Sequence, residues 1–118
     1  MAKVEPKIVF FINSGSGDQK IDWEGEITTF FSQTEVPIEI VKLPNPCEPD
    51  VIRKKIETSQ AEKIVAVGGD GTIKLIGECL LNTGKTLGIL PAGSANGMAR
   101  ELGIPSEPEA ALKLLLQG

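Results

Sequence analysis

Four short runs rich in Ile and Val, at 7–12, 36–42, 63–67 and 86–90, recur along the chain with helical patterns and small-residue clusters between them. Strands that are apolar at nearly every position suit a sheet buried on both faces, and their alternation with helices is the rhythm of βαβ units around a parallel sheet. The run at 36–42 alternates most, which predicts an edge strand. With 118 residues the chain falls below the roughly 150 typical of one domain, so residues 1–118 are expected to form one compact unit.

The intervening segments carry helical periodicity. At 22–33, Trp23, Ile27, Phe30 and Phe31 form one stripe with Asp22 as its N-cap. At 50–58, Val51, Ile52 and Ile56 are apolar, while Arg53, Lys54 and Lys55 read as a solvated face. A helix at 72–81 gathers Ile73, Ile76 and Leu80, and a short one at 95–102 is stopped by Gly103 and Pro105. A last helix starts at Ser106 with Glu109 completing a capping box, and Ala111, Leu112, Leu115 and Leu116 form its buried stripe.

Composition narrows the chemistry. The net charge of −4 argues against a nucleic-acid surface, so any anion must be held locally. The absence of His removes the usual general base, zinc ligand and nucleophile partner. Cys47 and Cys79 are too far apart for a CxxC and read as free thiols of a reducing cytosol. The longest apolar run, 8–12, has five residues, against the about 20 needed to span a bilayer.

Three glycine-bearing turns follow three of the strands, where a parallel sheet opens its ligand crevice. Asn13-Ser14-Gly15-Ser16-Gly17 offers backbone N–H groups and hydroxyls to an anion, or is a plain surface loop. Gly68-Gly69-Asp70-Gly71-Thr72 lies between a strand and a helix start, so its glycines allow positive φ and close approach, and unpaired N–H donors suit phosphate. Asp70 would repel that phosphate unless a cation or a proton transfer intervenes, which points to Mg²⁺ or catalysis. Ser94, in Pro91-Ala92-Gly93-Ser94-Ala95-Asn96, caps a helix, faces a phosphate, or does both; Arg100 reads equally as an ion-pair partner.

Two look-alikes fail on spacing. Gly84-Lys85-Thr86 resembles the end of a P-loop, yet Cys79 stands where that loop needs glycine and a strand follows instead of a helix. A dinucleotide fingerprint from Gly69 would need glycine where Lys74 stands.

The Gly68-Gly69-Asp70-Gly71-Thr72 stretch is similar to the GGDGT signature of diacylglycerol, sphingosine, ceramide and NAD kinases. Residues 88–100, Gly-Ile-Leu-Pro-Ala-Gly-Ser-Ala-Asn-Gly-Met-Ala-Arg, resemble the PxGTxNxxAR element of the diacylglycerol kinase family and not the NAD kinase sequence. With Asn13, Ser16 and Gly17 resembling that family's first phosphate loop, the likeness runs from 7 to 118. It implies an N-terminal α/β domain binding ATP beside a β-rich C-terminal domain that is not in this sequence. Asn13, Ser16, Gly17, Gly69, Asp70, Gly71, Thr72 and Ser94 would then contact ATP or its Mg²⁺, with Asp70 both metal-binding and catalytic. Ser14, Lys74, Leu75 and Gly97 depart from the family's usual residues.

The expectation is thus a three-layer α/β/α domain, strand order 2-1-3-4, forming the nucleotide half of a cytoplasmic lipid kinase. Its acceptor would be a lipid such as diacylglycerol, its base would lie in the missing half, and membrane contact would be peripheral through that half. The rivals are an NAD kinase-like phosphotransferase and a non-catalytic nucleotide-sensing module.

Overall fold

The computed structural model of the chain describes residues 6–13, 22–43, 48–68, 70–91 and 108–117. The expected helix at 95–102 and the proposed Ser106 cap lie outside them. Among the described residues eight elements follow one another: β1 (Ile8–Asn13), α1 (Trp23–Ser32), β2 (Ile38–Leu43), α2 (Pro49–Thr58), β3 (Lys63–Gly68), α3 (Asp70–Cys79), β4 (Thr86–Pro91) and α4 (Pro108–Gln117).

The four strands form one parallel sheet in the order β2-β1-β3-β4, as the sequence predicts, with β2 at the edge. Side chains alternate across the pleat, and the two faces hold separate cores. Ile8, Phe10, Ile12, Val65, Val67 and Leu90 meet Trp23, Ile27 and Phe31 of α1 and Ala111, Leu112 and Leu115 of α4. Val9, Phe11, Ile64 and Ala66 meet Ile52 and Ile56 of α2 and Ile73 and Ile76 of α3 on the other side. Helices thus cover both faces, giving three layers. The Phe10 ring packs edge-on against Phe31 with centroids 5.6 Å apart, a geometry that adds to simple area burial.

Local chemistry explains the element boundaries. Asp22 caps α1 by accepting from the Gly25 amide at 3.2 Å, and a Cβ at Gly25 would meet the Asp22 carboxylate at 2.5 Å, so the glycine keeps room for the cap. β2 starts at Ile38 and not at 36 because Pro37 has no N–H for the ladder; its carbonyl instead accepts from Lys7 N at 2.9 Å. On α2, Arg53 and Lys54 face solvent as expected, whereas Lys55 pairs with Glu39. Leu116, expected in the buried stripe of the last helix, is 39% exposed, and the apolar Val51 is 44% exposed, since each sits next to, and not on, the inward stripe. The turn after α3 uses Asn82 at φ 64° and Gly84 at φ 74°, and a strand follows, consistent with rejecting a P-loop there.

Candidate functional site

The order β2-β1-β3-β4 makes the chain turn one way from β1 to β2 and the other way from β3 to β4. The two directions diverge between β1 and β3. In open parallel sheets the carboxyl ends at such a switch point border the ligand crevice. Here those ends are Asn13 on β1 and Gly68 on β3, and α3 begins two residues after Gly68, at Asp70.

Asn13 and Thr72 are 59 residues apart in sequence, yet Asn13 Nδ2 donates to Thr72 Oγ1 at 2.7 Å. Thr72 is 8% exposed, the one buried polar or charged side chain among the described residues. It sits in the first turn of α3, and helical side chains lean toward their N-terminus, which brings its hydroxyl back over the end of β3. Gly68 makes this possible: a Cβ there would lie 2.9 Å from Thr72 Cβ and 3.1 Å from Thr72 Oγ1. Its role is to clear space for Thr72.

Two expectations about this turn change. The helix begins at Asp70 and not near Thr72, so Asp70, Gly71 and Thr72 are helical. Their amides belong to the first turn, whose donors have no partner within the helix. The positive φ expected of the glycines is not found at Gly68 or Gly71; among described residues it occurs at Asn82 and Gly84. Among the described residues nothing lies within 4 Å of where a Cβ at Gly71 would stand.

Of the residues singled out from sequence, Asn13, Gly68, Asp70, Gly71 and Thr72 are gathered at the ends of β1 and β3. Ser16, Gly17, Gly69, Ser94 and Arg100 lie outside the described residues. Lys74 is exposed on α3. The sequence signalled a polar residue at each strand end but not the hydrogen bond between them. Among the described residues no group of three or more His, Cys, Asp or Glu could hold a metal ion.

These features define a doubly wound α/β domain with the first turn of a helix at its switch point. The model of the diacylglycerol kinase catalytic domain matches residues 7–118, and the chain belongs to that family. A probable lipid kinase YegS-like of Klebsiella pneumoniae (strain 342) is 46% identical over 59 residues, covering 48% of this chain and 20% of that protein. The protein of the same description in Pseudomonas aeruginosa (strain UCBPP-PA14) is 54% identical over 56 residues, covering 46% and 18%. A solved diacylglycerol kinase from Bacillus anthracis str. Sterne superposes with a TM-score of 0.69 at 25% identity, over 98% of this chain and 43% of its own. The chain thus spans about a fifth of the length of these curated relatives. Among the described residues no helix is long and apolar enough to cross a membrane.

Proposed function

We propose that the chain is the nucleotide-binding half of an ATP-dependent lipid kinase, transferring the γ-phosphate of ATP to a lipid hydroxyl such as that of diacylglycerol. The observation that carries this reading is the match of the diacylglycerol kinase catalytic domain to residues 7–118, together with the first turn of α3 at the sheet's switch point. Phosphate oxygens approach the α3 amides there, where the helix dipole favours negative charge. The Thr72 hydroxyl adds a donor. Mg²⁺, held at Asp70 and by the phosphates, offsets the charge that develops during transfer. Ser16, Gly17, Gly69 and Ser94 complete the phosphate contacts.

Phosphoryl transfer asks little covalent chemistry of the protein, so positioning and electrostatics suffice on this side. The base for the lipid hydroxyl and the acyl-chain site belong to a second, β-rich domain, and residues 1–118 alone are inactive. The whole enzyme is cytoplasmic and meets the membrane peripherally through that second domain.

Thermal unfolding with Mg-ATP tests the nucleotide half. A hundredfold excess over Kd stabilises by about 2.7 kcal/mol, a shift of roughly 10–15 °C for a domain this small. NMR shifts should map to 70–72. No shift there at millimolar nucleotide removes the reading. Transfer of labelled phosphate to diacylglycerol by the longer gene product, against NAD as competing acceptor, tests the substrate class.

A further inference from the structure

Independently of the nucleotide reading, we propose that the outer edge of β2 and the groove beside it are a docking surface for a second copy of this chain, which joins the two sheets strand to strand. β2 pairs with β1 on one side and ends the sheet on the other, so a row of its backbone N–H and C=O groups faces outward. Its register with β1 runs unbroken from Ile8 opposite Ile38 to Asn13 opposite Leu43, and no bulge bends that edge away. Edges are commonly guarded by free charge. Here both charges of the strand are drawn onto the chain's own helices: Lys42 pairs with Glu24 of α1 at 2.8 Å, and Glu39 with Lys55 of α2. Pro37 and Pro44 flank the strand and confine pairing to the residues between them.

Beside this edge, Thr28, Phe31 and Ser32 of α1 with Val36, Ile38 and Ile40 line a groove of about 380 Å³. Ile38 and Ile40 turn to this face and are half-buried. A strand added to β2 lays alternate side chains along the groove, which calls for apolar residues two apart. β2 itself supplies them. Directly opposite residues of an antiparallel pair share a face, and equal charges there repel, so charge selects one register for β2 on β2. Centred on Ile40, it sets Ile40 against Ile40 of the second copy, Ile38 against Lys42 and Glu39 against Val41, with no like charges facing. The apolar stem of Lys42 can then cover Ile38. Centred on Glu39, two carboxylates would meet; centred on Val41, Pro44 would enter the ladder opposite Ile38. The chosen pairing is isologous and closes at two copies. β4, the sheet's other edge, fits the groove less well, since Gly88 gives it no side chain at the middle of its run, and a β2 to β4 pairing would continue into an open series. Because the paired strands run in opposite directions, the carboxyl ends of the two sheets point away from each other and both crevices stay open.

Sedimentation velocity on the purified chain, from micromolar to near-millimolar concentration, tests this. The mass should rise from that of one chain, 12.6 kDa, to twice that value and stop. Ile40→Lys sets two ammoniums against each other at the axis and should raise the dissociation constant at least about a hundredfold, with circular dichroism checking that the variant is folded. Register is tested by cross-linking in a chain whose Cys47 and Cys79 are replaced by Ala. There Ile40→Cys should link to itself under mild oxidation, whereas Glu39→Cys, which faces Val41, should not. A chain that stays monomeric throughout overturns the proposal and leaves the groove to a partner of another kind. A dimer that a folded Ile40→Lys leaves intact, growth beyond two copies, or equal cross-linking at 39 and 40 overturns it as well. Should Ile40→Lys fail to fold, the two cysteine variants decide the matter alone.

Discussion

The two ends of the sheet solve opposite problems. At the strand starts, lysine ammoniums are committed to backbone carbonyls: Lys85 Nζ donates to Ser59 O at 3.2 Å and also to Ala61 O, and Lys63 Nζ donates to Leu115 O in the last turn of α4. At the strand ends the Asn13 to Thr72 hydrogen bond is neutral, and the lysine there, Lys42, pairs with the Glu24 carboxylate and not with a carbonyl. Chain direction causes the contrast. In a parallel α/β domain helices finish where strands begin, presenting carbonyls, and begin where strands finish, presenting amides. Cations are therefore consumed at one end while the other offers the partial positive charge of helix amides. A chain of net charge −4 can in this way receive an anion without a basic patch.

The contrast breaks most visibly at Asp70. On the kinase reading proposed above, Asp70→Asn in a protein that also carries the second domain should lower activity at least about a hundredfold, the usual order for a positioned electrostatic group, with the melting temperature little changed. Near-normal turnover would make Asp70 a mere helix-start residue. Gly68→Ala comes next: its Cβ would press on Thr72 Cβ at 2.9 Å, so crowding should cost about 1–3 kcal/mol and Mg-ATP affinity should fall with it. Denaturant unfolding and nucleotide titration on the same variant check both.

At the opposite end Lys85→Met should lose about 1 kcal/mol, since a half-exposed ammonium contributes less than a buried one. Its nucleotide affinity should not move. A loss of affinity equal to that of Gly68→Ala would erase the division between the ends. The smallest effect is alkaline. Burial pushes the Cys79 thiol above its ordinary 9.0 against the pull of Arg53, and a hydrogen bond to Glu24 followed by its charge raises Lys42 above 10.5. Both groups hold their protons more tightly when folded, so this stability is complete below pH 9 and declines as pH rises through the folded values. Cys79→Ala should flatten the part that begins near pH 9, measured by urea midpoints across pH 8–11.

The strands were legible because their apolar runs are continuous, and the edge position of β2 because Glu39 and Lys42 interrupt its run. The start of α3 was not. Glycines suggested a turn through 71, whereas the helix begins at Asp70: an acidic first residue suits the dipole, and glycine near a helix end costs less than in its interior. Within the site, residue types were readable, since small residues and a carboxylate at a strand end have few other uses. Their arrangement was not. That Gly68 serves Thr72 by vacancy, and that Asn13 reaches Thr72, depends on β1 and β3 lying side by side, a fact of the sheet that no spacing along the chain expresses. The lysine contacts of Lys63 and Lys85 were hidden for the same reason.

The central place of β1 also governs how such a chain must assemble. It pairs with β2 through Ile8 opposite Ile38 and with β3 through Ile8 opposite Lys63, so its partners are made long after it. Parallel pairing across such separations closes large loops before any contact repays them, which makes folding slow. Until β3 is synthesised, the run Ile8-Val9-Phe10-Phe11-Ile12, later wholly buried, has no complete shelter. It is a short, uncharged, β-prone segment of the kind that seeds aggregation. The strand that anchors the finished sheet is thus the one a nascent chain most needs shielded.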